Sequence, residues 1–212
     1  MPSKKLIEIK QEKLILAEGA DACYFFIWAC QAFGRDDIQV IDFGGIDDLG
    51  DFLKTLKDLH DYEKARAIII VRDAEGDPEG AVQSIKTSLR DHGFTVPVEP
   101  FAFAEGLPRV AYMLLPGFDS DSGDGSLLKG TLEDLCLSTT MSDPIHVCVD
   151  IYVDCLNSNG VIIKHPHKTR LHTYLAGKND LVGLKLGEAA KAGIWDWNHP
   201  ALSPFRKTII NM

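Results

Sequence analysis

Basic side chains are scarce in this chain: 22 Lys and Arg stand against 31 Asp and Glu, for a net charge of −9. That balance argues against broad nucleic-acid binding through a basic surface, although an acidic metal site would itself supply several of the negative charges. Long apolar runs are missing too, and none approaches the roughly 20 residues that a membrane-crossing helix needs, so no membrane association is expected. There is no CxxC pair among the five cysteines (Cys23, Cys30, Cys136, Cys148 and Cys155). An odd count without metal-ligand spacing points to reduced thiols and a cytoplasmic protein, with the cysteines acting as small hydrophobic residues. Residues 1–13 are charged and lack an apolar signal core, so no secretion signal is expected. No G-x-x-x-x-G-K-[ST] occurs, which speaks against nucleotide hydrolysis on a P-loop. Repeats and low-complexity tracts are absent, and 212 residues suffice for one α/β domain with an appendage.

What is present is a succession of short apolar runs followed by glycine. Residues 13–17 and 66–71 read as buried parallel strands, because both of their faces are apolar, and residues 38–43 read as a strand between them. Between them lie amphipathic segments: Ala22 to Phe33, capped by Asp21 and stopped by Gly34, then a helix opening at Asp47 or Asp48 with Leu49, Phe52, Leu53, Leu56 and Leu59 on one stripe. A third helix runs from Gly80 to His92. The order β-α-β-α-β-α predicts a parallel sheet with right-handed crossovers. Residues 6–10 alternate as a short edge strand would, and Arg109 to Leu115 reads as a further strand. Beyond it, residues 117–126 are polar, and Asp119, Asp121 and Asp124 do not have the glycine placement of a calcium-binding EF-hand loop. Thr131 caps a helix, Ile145 to Leu156 is strand or helix, and three further helices follow from Thr169, Gly187 and Phe205. Trp195 and Trp197 form either a packing turn or a base-stacking platform. The expected division is an α/β core over residues 1–115 and a mostly helical extension over residues 116–212 packed on it.

The chemistry-bearing residues sit where strands end. Glu18 follows the first strand, and Asp73, Glu75 and Asp77 follow the third, with Arg72 beside them. Parallel sheets hold their sites at the C-terminal edge of the strands. Carboxylates gathered there repel one another unless a hard divalent cation joins them. Each residue also has a plainer reading: a helix cap, a first-turn carboxylate favoured by the helix dipole, or a solvated side chain, with Asp21 foremost a cap. The stretch from Lys164 to Arg170 is either a solvated helix start or a phosphate-facing patch. His165, His167 and His172 are the histidines closest in sequence, and a zinc site is the less favoured reading of them.

Leu16-Ala17-Glu18-Gly19-Ala20-Asp21 and Asp73-Ala74-Glu75, with Gly44-Gly45 after the second strand, resemble the Toprim (topoisomerase–primase) fold. Its signature is a glutamate after strand one and an acidic D-x-D-like pair after strand three. Glu75 replaces the usual second aspartate, and its extra methylene moves the carboxylate oxygens. Leu114-Leu115-Pro116-Gly117, Gly130-Thr131-Leu132-Glu133-Asp134, Tyr174-Leu175-Ala176 and Leu186-Gly187-Glu188-Ala189-Ala190 resemble a small prokaryotic Toprim-related family without assigned activity. They are similar also to the Toprim half of the overcoming-lysogenization-defect nucleases, without the fused ATPase. The resemblance implies Mg²⁺ or Mn²⁺ held by Asp73 and Glu75, Glu18 as general acid/base or second ligand, and Glu133 completing a second metal position. Asp77, Asp21 and Arg72 would be accessory. It implies nuclease-type action on nucleic-acid phosphodiesters. The alternative is a non-catalytic binding or regulatory module, such as a defence-system subunit, acting as a homo-oligomer or with a protein partner.

Overall fold

The computed structural model describes residues 7–45, 47–119, 125–179 and 181–212. Four strands, β1 (Lys13–Glu18), β2 (Ile38–Gly44), β3 (Ala67–Asp73) and β4 (Arg109–Leu115), form one parallel sheet in the order β2-β1-β3-β4. The β-branched and aliphatic residues of β1, β3 and β4 are buried on both faces, β2 at the edge is only partly buried, and alternate positions feed two separate apolar layers. Leu14, Leu16, Ile68, Ile70, Val110 and Leu114 face α2 (Leu49–Leu56) and α3 (Pro78–Asp91). Ile15, Ala17, Ile69, Val71, Ala111 and Met113 face the opposite layer, led by α1 (Gly19–Ala32). That second layer also draws on α4 (Leu132–Ser138), α6 (Pro166–Ala176), α7 (Leu186–Lys191) and α8 (Ser203–Ile210). The only part of α5 (Ile145–Ser158) in it is Val149 with the partly buried Ile145. Each fully buried Leu or Ile contributes roughly 1.5–3 kcal/mol. The architecture is therefore α/β, a four-stranded parallel sheet flanked by helices with a helical C-terminal region, as the strand and helix periods predict.

Several local expectations are corrected. Residues 7–10 are not a strand, and Leu6 lies outside the described residues. Ile9 donates to the His60 carbonyl (3.3 Å), and the Gln39 side chain takes up the Lys10 N–H (2.6 Å) and the Glu8 carbonyl (2.8 Å), so this segment's backbone is satisfied outside the sheet. Helix α1 starts at Gly19 directly from the strand, with Glu18 at the N-cap position, so Asp21 sits in the first turn and caps nothing. Strand β3 extends to Asp73, which makes Asp73 a strand residue instead of a loop residue. The segment from Ile145 is helical, and Cys148 and Cys155 on it are exposed, whereas Cys30 and Cys136 are buried as small hydrophobes. Burial pushes the Cys30 thiol up to about 12. Trp195 is fully buried and Trp197 packs against Phe25 and Phe33, so the tryptophan pair is a packing turn. Asp121 and Asp124 of the polar loop lie outside the described residues. Among the described residues, no helix is long and apolar enough to cross a membrane.

Candidate functional site

The strand order places a switch in chain direction between β1 and β3. From β1 the chain moves to β2 on one side, then crosses back to β3 and on to β4 on the other. Helices leaving neighbouring strands there lie on opposite faces, which opens a crevice at the C-terminal ends of β1 and β3. Ala17 pairs with Val71, so Glu18 and Arg72 end up side by side at that edge, with Asp73 one step further and opposite Leu115.

A third chain segment is tied to the same edge. The backbones of Glu75 and Gly130 exchange two hydrogen bonds of 2.7 and 2.8 Å. Glu75 adopts a left-handed conformation (φ 53°) and Gly130 has φ 134°. A side chain at Gly130 would put its Cβ 2.5 Å from the Asp134 carboxylate, so a glycine is required for this approach. The bridge seats the start of α4 on the end of β3, and the Leu132 N–H donates to Asp73 Oδ1 (2.9 Å). Asp134 then accepts from the Thr131 N–H (2.8 Å) and from the Thr131 hydroxyl (3.2 Å), and His167 Nδ1 of α6 lies 2.7 Å from the same carboxylate. These contacts fix α4 against the sheet and α6 against α4.

Glu18, Asp73 and Glu133 thereby line one cleft of about 770 Å³. Glu133 is 7% exposed, and among the described residues no donor hydrogen-bonds its carboxylate. Burial, Glu133, Glu18 and Glu75 together push Asp73 up to about 7, against the opposing pull of the Leu132 N–H. Burial also raises Glu18, with Arg72 acting in the opposite direction and Glu75 and Asp47 adding to the rise. Arg72 is nearly buried; it donates to Ser84 Oγ (2.9 Å), and its Nε faces Glu18 Oε2 at 3.4 Å without hydrogen-bond geometry. The result is a carboxylate oxygen of Glu18 that is buried and has no hydrogen bond.

The remaining sequence candidates fall elsewhere. Glu75 is exposed and lines, with Arg72, Asp73 and Asp77, a shallower depression of about 330 Å³ next to the cleft. Asp77 caps α3 by accepting from the Gly80 N–H (3.0 Å). Asp21 is on the cleft rim. His167 is engaged with Asp134, and among the described residues no three His, Cys, Asp or Glu side chains form a ready-made metal cage. Mg²⁺ does not need one: it keeps several waters and is commonly held by one or two carboxylates plus substrate phosphates. The unbonded oxygens of Glu18 and Glu133 and the strained ionisation of Asp73 fit such an ion. The opposite wall of the cleft, made by α6 and the start and end of α7, carries Lys168, His172, Lys185 and Lys191. Lys168 belongs to the basic stretch and His172 to the histidine group that the sequence singles out; nothing in the spacing of Lys185 and Lys191 marks them, because their placement depends on how α7 packs on α1.

A family profile described as "Protein of unknown function (DUF3226)" matches residues 12–211. No curated protein and no solved structure matches. The chain belongs to the DUF3226 family.

Proposed function

We propose that this DUF3226 protein is a Toprim-like, Mg²⁺- or Mn²⁺-dependent enzyme of nuclease type, acting on nucleic-acid phosphodiesters in the cytoplasm. The observation that carries the reading is the convergence of Glu18, Asp73 and Glu133, from β1, β3 and α4, on one cleft at the switch point of the sheet. When bound, a divalent ion supplies stabilisation for charge developing on the phosphodiester oxygens. Asp73 and Glu133 would hold it, with Glu75 of the neighbouring depression within electrostatic reach of Asp73. Glu18 has its carboxyl raised by burial, so it retains a proton to higher pH than an exposed glutamate and is suited to hand one to a leaving oxygen. Arg72 keeps Glu18 at the edge and sets the balance between its two forms. The helices of the C-terminal region wall the cleft. Free thiols at all five cysteines accord with a reducing compartment.

The second reading is a non-catalytic binding or regulatory module, a defence-system subunit among the options, alone, as a homo-oligomer or with a protein partner. The Arg72–Glu18 pair favours it, because a cation already faces the glutamate. Incubation of the purified protein with supercoiled plasmid and with single-stranded oligonucleotides, in Mg²⁺, Mn²⁺ or EDTA, separates the two. Enzymatic action predicts metal-dependent cleavage that falls at least 100-fold in Glu18→Gln and in Asp73→Asn while both variants melt cooperatively. Cleavage that persists in both, or that never occurs with the unaltered protein, overturns it.

A further inference from the structure

The cleft has two walls of opposite charge. One carries Glu18, Asp73 and Glu133, with Asp21 beside them; the other, on α6 and on α7 with the residue before it, carries Lys168, His172, Lys185 and Lys191, with Glu188 among them. Among the described residues, Lys168, Lys185 and Lys191 have no carboxylate within ion-pair distance, while Arg170 and Lys178 of the same region are paired with Asp150 and Asp143. Glu188 on the lysine wall is engaged by the Lys185 backbone N–H (2.8 Å). A protein of net charge −9 thus brings three lysines without carboxylate partners into one concave place. Two aromatic side chains of α1 border the same space: Tyr24, a residue 58% exposed, and the half-buried Trp28, over whose ring Lys191 Nζ lies at 5.7 Å from the centroid.

We infer that this wall is a binding site for a nucleotide phosphate presented one unit at a time, with the base laid against Tyr24 and Trp28. The inference rests on the proposed function for the chemistry at the acidic wall, and it adds the substrate class: an unpaired strand or a free nucleotide, and not a duplex. Size decides between them. About 770 Å³ falls within the roughly 300–1,000 Å³ of pockets that take small ligands. A duplex keeps its bases stacked inward and offers Tyr24 and Trp28 no free base face. Lysines act as point charges for phosphate, and exposed aromatic faces stack on any base, so this arrangement selects unpaired nucleotides without selecting sequence.

The test is fluorescence anisotropy with fluorescein-labelled dT10 and a labelled 20-base-pair duplex, in EDTA so that no metal-dependent step intervenes. The expected result is binding of dT10 at least tenfold tighter than of the duplex, weakened at least fivefold in the Lys168→Ala/Lys191→Ala double variant and in Tyr24→Ala. The double variant also lowers the slope of log affinity against log salt by about 0.7 for each lysine in contact. Competition by unlabelled dTMP identifies a free nucleotide as the source, and competition by unlabelled dT10 alone identifies a strand. Equal or tighter duplex binding, absence of dT10 binding, or unchanged affinity in both variants overturns the inference. Metal-dependent cleavage that survives in the lysine variants would leave the proposed function standing and remove this site, whereas dT10 binding without any cleavage would do the reverse.

Discussion

Asp73 is the residue whose ionisation the fold opposes most clearly. Its carboxyl is pushed up to about 7, by burial first and then by Glu133. The ordinary unfolded value is near 3.9, so the folded state holds this proton over the interval between them. Stability contributed by the protonated form is fully present below about pH 4 and is lost as pH rises towards about 7. Asp73→Asn removes that loss and keeps an oxygen for the Leu132 N–H. In EDTA, the variant's melting temperature should exceed that of the unaltered protein by little at pH 4 and by several degrees at pH 8, given roughly 2–4 °C per kcal/mol at this chain length. A variant less stable at pH 8 would show that Asp73 is not a repelled carboxylate. At this scale, Glu18 and Asp73 stand out because each ends an apolar run, whereas Glu133 enters only through the resemblance, its place in a helix first turn having a plain reading too; the structure brings the three to one cleft. Glu75 looked equivalent to Asp73 two positions away, but its left-handed backbone, fixed by pairing with Gly130, directs it to the neighbouring depression. That pairing spans 55 residues of sequence and leaves no local signal.

Helix α7 is where element packing governs the cleft. It lies against α1 through Gly187, where an added Cβ would approach Tyr24 Cβ to 2.4 Å. Both atoms are close to rigid backbone, so α7 would have to move. Gly187→Ala is expected to lower the melting temperature by roughly 3–10 °C, corresponding to about 1–3 kcal/mol of overpacking. Scanning calorimetry checks it; an unchanged or raised melting temperature would mean that α7 is seated by other contacts. Strand and central helix positions were legible from period and glycine stops. The start of α1 was not, because Asp21 has the chemistry of a cap while the helix begins directly off the strand at Gly19. Residues 7–10 alternate like a strand yet find their hydrogen-bond partners in the His60 carbonyl and the Gln39 side chain. Alternation reports which side chains are buried and says nothing of where the backbone bonds go.

Over the whole molecule, one sheet edge, one tied-down helix start and one layer of C-terminal helices jointly build the cleft. The C-terminal residues Leu171, Tyr174, Leu186, Trp195 and Phe205 share an apolar cluster with α1 and the sheet. The acidic side of the cleft therefore joins two strand ends of the first half of the chain to Glu133 of α4, and its basic side lies in the second half. Sequence order announces the strand ends, but the meeting with Glu133 and the basic side are assembled only by packing. The central claim is that a divalent ion joins the carboxylates of β1, β3 and α4. Anomalous diffraction from a crystal soaked in Mn²⁺ tests it most directly. The account predicts a peak in the cleft with oxygens of Asp73 and Glu133 at roughly 2.0–2.2 Å, near the distance of a Mg²⁺-like ion. An empty cleft, with Glu18 still facing Arg72 and Asp73 still bonded to Leu132 alone, would contradict it.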